Sequence, residues 1–254
     1  MDGDLVKTTA KLMERVERLL TQQRLSAPTQ RILIALAGVP GSGKTTISDA
    51  LIKELKKNGI SDVAILPMVS TSRGLQLKAI NYVTNTRLFQ DGFHYTRTTL
   101  SSFDDPDEAF RRRGAPFTFD AAALLDLVAL LKKTPVTTHN KPQIIIKAPG
   151  FDHARKDPIP DAIEIPSRAK VVIIEGNYVL LDQEPWSRIS TLADDKWFVD
   201  VPVDIARERL ASRHLRAGIE TTIEAAIKRA DENDIPNGEY IRSHLIEPNM
   251  RIIN

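Results

Sequence analysis

The sequence predicts a single α/β domain, residues 1–254, with a doubly wound parallel sheet, helices on both faces of the sheet and a small helical lid. Short apolar segments alternate along the chain with longer segments of helical periodicity, which is typical of this fold class. The segment at residues 31–37 is an almost continuous apolar run, as strands covered on both faces are. With 254 residues and 42% hydrophobic content, the chain can bury one sizeable core.

The elements follow from apolar periodicity and from capping residues. Residues 1–27 carry apolar side chains at helical spacing and predict an amphipathic helix that packs on the domain. The strands are predicted at residues 31–37, 63–66, 143–147, 170–176 and 196–201. Further helices are predicted at residues 45–57, 121–133 and 204–218. Asp120 caps the helix at 121–133, and Thr221 with Glu224 matches a capping box that opens one more helix.

The composition excludes several classes of function. The 35 basic and 33 acidic residues balance closely, so nucleic acid is not an expected partner. There is no cysteine, and the five histidines lack the spacing of a zinc site. No apolar run is long enough to span a membrane. Acidic residues near the amino terminus argue against a transit peptide, so a cytoplasmic protein is expected, either a monomer or a homodimer.

The stretch "GVPGSGKTT" is a phosphate-binding loop between a predicted strand and a predicted helix. Its glycines let the backbone wrap around a phosphate, and the following helix adds its positive amino-terminal end. Lys44 is expected to reach the β- and γ-phosphates and the Thr45 hydroxyl to bind Mg²⁺. The predicted ATP-binding residues of the loop are Gly38, Val39, Pro40, Gly41, Ser42, Gly43, Lys44, Thr45 and Thr46.

Two carboxylates follow predicted strands and are candidates for the chemistry. Glu175 ends the strand at 170–176, where open α/β sheets bind their ligands, and can hold Mg²⁺ directly or through water. Asp91 opens the turn "DGFHYTR" and is the candidate that accepts the proton of an acceptor hydroxyl. An ordinary turn aspartate remains the alternative for Asp91.

The predicted helix at 204–218 presents three arginines on one face. Arg209, Arg213 and Arg216 repel one another there, which favours a bound anion. We interpret residues 204–220 as a lid that brings these arginines to the phosphates of ATP. A solvated surface helix is the alternative.

Taken in order, these segments resemble the P-loop kinase family that contains uridine kinase, phosphoribulokinase and type I pantothenate kinase. "GVPGSGKTT" is similar to the ATP loop of that family, and "DGFH" to the turn with its catalytic aspartate. "RRRGAPFTFD", "APGFDHARKD" and "IIEGNYVLL" resemble its R-x-G-x-P segment, acceptor strand and E-G strand. The likeness covers nearly the whole chain and is strongest to a fungal and bacterial subgroup of uridine kinase-like or nucleoside triphosphate hydrolase proteins.

The resemblance implies roles for individual residues. Asp91 would be the catalytic base, and Lys44 would be catalytic through its contact with the phosphates. Glu175 would be associated with the metal, and Arg213 and Arg216 would be lid arginines. The acceptor-site residues that it implies are His94, Arg113, Phe151, Asp152, His153 and Asn177. The stretch after Asp152 departs from the uridine kinase pattern, so the resemblance does not identify the acceptor.

Residues 69–90 are extra relative to that family, in which the second strand leads directly into the aspartate turn. One interpretation is a lineage-specific flap or a partner-binding loop. The other is a retained intron, since 22 codons preserve the reading frame. Val69-Ser70 can be encoded by GTAAGT, a common donor site, and Phe89-Gln90 by TTTCAG, a common acceptor site. Removing the segment would join Met68 to Asp91.

The sequence therefore predicts a Mg²⁺- and ATP-dependent kinase that phosphorylates a hydroxyl of a small metabolite, such as a sugar, a nucleoside or a pantothenate-like compound. Two alternatives remain open. In a nucleoside triphosphate hydrolase, water would replace the acceptor. In a regulatory module, the nucleotide would bind without turnover.

Overall fold

The computed structural model describes residues 3–67, 92–138, 140–152 and 155–254. Its strands are β1 (Ile32–Gly38), β2 (Val63–Pro67), β3 (Ile145–Asp152), β4 (Asp157–Pro166), β5 (Val171–Glu175), β6 (Asp195–Asp200) and β7 (Met250–Ile253). Its α-helices are α1 (Gly3–Ser26), α2 (Lys44–Lys57), α3 (Arg97–Leu100), α4 (Pro106–Arg111), α5 (Ala121–Lys133), α6 (Trp186–Leu192), α7 (Val203–Arg216), α8 (Ile223–Arg229) and α9 (Ile235–Ser243). A 3₁₀ turn covers Pro116–Thr118, and a π-helical turn, Ala230–Asp234, joins α8 to α9.

A five-stranded parallel sheet, in the order β2-β5-β1-β6-β7, organises the described residues. β1 lies at its centre, paired with β5 on one side and β6 on the other. Leu36 in β1 and Pro67 in β2 both align with Glu175 at the end of β5. The carboxyl ends of these three strands therefore meet at one edge, where α/β sheets bind ligands.

Helices cover both faces of this sheet, which confirms the predicted fold class. Successive side chains of β1 point to opposite faces because a strand has a period of two. Leu33 packs in the core with α5 and α6, whereas Ile34 packs in the core with α1 and α2. Leu12 and Val16 of α1 are fully buried, and each such side chain contributes about 1.5–3 kcal/mol of burial free energy.

The strand predicted at 143–147 is displaced and lies outside the parallel sheet. β3 begins at Ile145 and forms an antiparallel hairpin with β4. β4 was not predicted from the sequence, because Pro158, Pro160 and Pro166 lie within it. Proline is tolerated in such a strand because a two-stranded hairpin leaves one edge of each strand without a ladder partner.

The capping box predicted at Thr221 is wrong by one residue. Thr222 is the N-cap of α8, and its hydroxyl accepts the backbone N–H of Ala225 at 3.2 Å. Either threonine has the hydroxyl that a cap needs, so the sequence pattern alone did not distinguish the two.

Two further sequence predictions concern the extra segment and the absence of a membrane span. The proposed insertion at 69–90 lies outside the described residues. Within the described ranges, no helix is long and apolar enough to cross a membrane.

Candidate active site

The phosphate-binding loop connects the central strand β1 to α2 at the ligand-binding edge of the sheet. Gly38 cannot be replaced without a clash, because a Cβ there would lie 2.5 Å from the carbonyl oxygen of Val199. Gly43 caps α2 with a φ of 84°, a left-handed conformation that favours glycine. The Ser42 hydroxyl is buried and lacks a hydrogen-bond partner in the described part of the chain. These features leave a tight turn with an unsatisfied polar group, as a site for phosphate oxygens requires.

Lys44 folds back over this loop. Its Nζ donates to the carbonyl oxygens of Gly38 at 2.9 Å and Val39 at 3.1 Å, and the side chain is buried. Burial lowers the pKa of Lys44 to about 8, an effect that the nearby carboxylate of Glu175 opposes. The ammonium group therefore lies inside the loop and, among the described residues, has no direct carboxylate contact, so an anionic ligand would stabilise its charge.

A carboxylate and two hydroxyls meet beside the loop. Thr45 donates to one oxygen of Glu175 at 2.7 Å, and Ser48 donates to the other at 2.8 Å. Burial raises the pKa of Glu175, and the two hydroxyl hydrogen bonds oppose that rise. Mg²⁺ is usually held by one or two carboxylates, water and substrate phosphates, so this set of oxygen atoms fits that ion.

The three arginines of α7 have different surroundings. Arg209 donates to the carbonyl oxygen of Gly41 at 3.4 Å, so its side chain reaches the loop. Arg213 lies 3.6 Å from Asp234, and its charge contributes to the lowered pKa of Lys44. Arg216 donates to the backbone of Ser212 and, with Arg209, lines an open cavity of about 640 Å³. Of the three arginines, Arg209 therefore contacts the loop, and Arg213 acts on the charge of Lys44 without a contact to the loop among the described ones.

The turn that follows Asp91 lies on the β3–β4 hairpin. A Cβ at Gly92 would lie 2.2 Å from the carbonyl oxygen of Pro149, so only glycine permits this close approach. The His94 ring lies 3.9 Å from the ring of Phe119 and 5.9 Å from that of Phe151, measured between centroids. Asp91 and His153 lie outside the described residues.

Arg113 connects the hairpin to this turn. Its guanidinium donates to the backbone of Lys156 at 2.7 Å and of Tyr95 at 3.1 Å. It also lies 5.7 Å from the ring centroid of Phe151 and 3.6 Å from the carboxylate of Asp157. The contacts of Arg113 therefore hold together the segments from which the acceptor site was predicted.

The remaining two acceptor-site predictions lie at or just after the ends of two different strands. Asp152 ends β3 and accepts the backbone N–H of Arg155 at 3.1 Å. Asn177 follows β5 and is buried two residues after Glu175.

Residues near the carboxyl terminus also contact the loop, and these contacts were not predicted from the sequence. Asn254 donates to the carbonyl oxygen of Ser42 at 2.6 Å and lies directly over Gly43. Gly238 in α9 lies against Val39, because a Cβ there would be 3.5 Å from that side chain. No sequence motif marks either residue, and only the order of the strands brings them to the loop.

Comparison with known proteins gives consistent matches over most of the chain. The sequence profile of the Phosphoribulokinase / Uridine kinase family matches residues 33–222. A protein of Schizosaccharomyces pombe (strain 972 / ATCC 24843), named "Putative uridine kinase C227.14", is 37% identical over 251 residues, which are 98% of this chain and 92% of that protein.

Two solved structures share the fold. YFH7 from Saccharomyces cerevisiae, described as "a putative P-loop containing kinase with a circular permutation", superposes with a TM-score of 0.72 at 29% identity, over 97% of this chain and 99% of that one. A "putative fructose transport system kinase" from Silicibacter sp. TM1040 superposes with a TM-score of 0.71 at 30% identity, over 96% of this chain and 98% of that one.

Proposed function

The chain belongs to the phosphoribulokinase / uridine kinase family of P-loop kinases, and from that premise we propose that it transfers the γ-phosphoryl group of ATP to a hydroxyl of a small metabolite. One observation carries the proposal. The buried ammonium of Lys44, the Thr45 hydroxyl and the Glu175 carboxylate converge beside the loop, at the edge where β1, β2 and β5 end. Phosphoryl transfer depends on positioning and charge stabilisation, and this group of residues supplies both.

The loop holds the phosphates of the nucleotide in this proposal. Its backbone N–H groups and the amino-terminal end of α2 face the anion, and Lys44 neutralises charge on the phosphate that is transferred. Thr45 and Glu175 would hold Mg²⁺, with Ser48 orienting the carboxylate. When bound, that ion would stabilise charge on the β- and γ-phosphates. Arg209 and Arg213 add positive charge from α7.

Asp91 is the proposed base. In the transfer, the acceptor oxygen bonds to the γ-phosphorus, the bond between that phosphorus and the β–γ bridging oxygen breaks, and ADP leaves. The hydroxyl proton passes to the carboxylate of Asp91. Support for this role comes from its position directly before Gly92, which packs against Pro149 beside the proposed acceptor hairpin.

The hydroxyl end of the acceptor is proposed to lie between the 92–95 turn and the hairpin. His94, Arg113, Phe151, Asp152, His153 and Asn177 remain the proposed contacts. Related proteins bear the names uridine kinase and fructose transport system kinase, which is consistent with an acceptor hydroxyl on a sugar or a nucleoside.

The experiment that tests this function measures ADP release with and without a panel of hydroxyl metabolites, with the Lys44→Ala variant as control. ADP release that requires an acceptor supports the kinase. Release that is independent of any acceptor indicates a hydrolase, and ATP binding without release indicates a regulatory module. Loss of turnover in Lys44→Ala assigns the measured activity to this site.

A further inference from the structure

A cavity of about 620 Å³ opens on the side of Phe119 that faces α6 and α9. Its walls come from the 3₁₀ segment before α5, the turn before α6 and one face of α9. The described residues that line it include Tyr95, Arg112, Phe117, Phe119, Trp186 and Tyr240. Pockets of this volume with aromatic walls and a few polar groups are typical of small-molecule sites.

Arg112 supplies positive charge to this cavity. Its Nε donates to Oδ1 of Asn233 and its Nη2 to Oδ1 of Asn237, both at 3.1 Å. These partners are neutral, and among the described residues no carboxylate lies within 4.0 Å of its guanidinium. The two neighbouring arginines differ, since Arg111 pairs with Glu108 at 2.5 Å and Arg113 approaches Asp157 at 3.6 Å. Arg112 therefore holds a half-buried charge that, in the described part of the chain, contacts only neutral amides, and an anionic ligand would pair with it.

The remaining polar groups also favour an anion near Arg112. Asn233 and Asn237 are buried and accept from Arg112 through their oxygens, so the amide nitrogen of Asn237 is available to donate at the cavity wall. Glu184 also lines the cavity, but it is exposed and accepts the Ser187 hydroxyl at 2.9 Å. The acidic group therefore lies at the solvent side, and the donors lie deeper.

The cavity shares walls with the proposed transfer site. Asn237 precedes Gly238, which lies against Val39 of the phosphate loop. On another side, Phe119 lies between the cavity and His94, with its ring 3.9 Å from the His94 ring. The cavity therefore borders the turn through Tyr95 and Phe119, and α9 lies between the cavity and the loop.

We propose that this cavity binds the body of the phosphoryl acceptor and that the acceptor is a hydroxy acid. Its carboxylate would bind Arg112 and the amide of Asn237, and its apolar part would pack on Phe119 and Trp186. One guanidinium balances the single charge of a carboxylate, whereas a phosphate ester would leave an excess of negative charge. This inference rests on the proposed kinase function and adds the chemical class of its substrate.

The test measures binding without ATP, so that it does not depend on turnover. Glycerate, shikimate, mandelate and pantothenate are each compared with the matching neutral amide by calorimetry. At least one acid should bind the wild-type protein about tenfold or more tightly than its amide, the scale of one hydrogen bond to a charged group. Arg112→Met should abolish that preference, and the control Arg111→Met should retain it. If no acid binds better than its amide, or if Arg112→Met keeps the preference, the inference is wrong.

A second variant covers the case in which Arg112→Met does not fold. Ala122 lies in the first turn of α5, is exposed and lines the cavity, so Ala122→Trp narrows the cavity without removing a hydrogen bond of Arg112. This variant should lose the acid and keep ATP binding, and unchanged acid binding would overturn the inference.

The two proposals fail in different ways. If the wild-type protein binds the acid but transfers no phosphoryl group, the acid-binding proposal stands and the kinase function is refuted. If the protein phosphorylates neutral acceptors and the KM for them is unchanged in Arg112→Met, the kinase function stands and the acid-binding proposal is refuted.

Discussion

The nucleotide-free protein should become more stable as the pH rises from 7 to 9.5, because of Lys44. Burial lowers the pKa of this group from 10.5 to about 8, whereas a lysine in the unfolded chain keeps its ordinary value. Between these two values, the unfolded chain holds a proton that the folded protein has released, so raising the pH favours folding. A pKa near 8 corresponds to a gain of about 2 kcal/mol over this pH range.

Urea unfolding of the wild-type protein and of Lys44→Met at both pH values isolates this contribution. Other groups titrate in both proteins, including Tyr178, whose pKa is raised by burial, and their effects cancel in the difference. The gain should be present in the wild type only and should disappear with saturating ATP, whose phosphates would keep Lys44 protonated. Equal changes in the two proteins would show that the folded state does not lower the pKa of Lys44.

Four further predictions concern the nucleotide and the transfer step. Near pH 8, ATP binding should take up about half a proton at Lys44, measured by calorimetry in two buffers of different ionisation enthalpy, and zero uptake would contradict the lowered pKa. Glu175→Gln should keep the fold and a hydrogen bond from one of the two hydroxyls, but lower turnover about a hundredfold or more at fixed Mg²⁺. An unchanged Mg²⁺ titration of activity would argue against its metal role. Asp91→Asn should keep ATP binding and lower transfer about a hundredfold or more, and full acceptor-dependent activity would place the base elsewhere. Deletion of Val69–Gln90 should give a protein that is at least as stable and more active. An unfolded deletion protein, or gene codons without GT at the start and AG at the end of the segment, would refute the retained intron.

The parallel sheet and the position of the loop were predictable from the sequence. Apolar runs such as residues 31–37 identify buried strands without ambiguity when a glycine-rich loop and a helix follow. Because the ends of adjacent parallel strands meet, a carboxylate at the end of β5 was expected near Thr45, and the two lie 2.7 Å apart. Ser48 could have been found in the same way, since it follows Thr45 by three positions on one helix face.

Other features depend on contacts between distant segments and were not predictable. β4 was not predicted because it contains three prolines, which cannot donate to the ladder of hydrogen bonds and therefore argue against a strand. The motif "RRRG" did not reveal which arginine faces a cavity, and the resemblance pointed to Arg113. In the structure, Arg113 binds backbone carbonyls and Arg112 lines the cavity, a difference that depends on where α4 ends.

The molecule that carries the γ-phosphoryl group after the reaction shows whether the protein is a kinase or a hydrolase. The protein is incubated with Mg²⁺ and ATP labelled with ¹⁸O in the γ-phosphoryl group, together with a filtered metabolite extract, and the products are analysed by mass spectrometry. We expect labelled phosphate on the hydroxyl of an acidic metabolite, and no such product with Lys44→Ala. Label found only in inorganic phosphate, in equal amount with and without the extract, would contradict it.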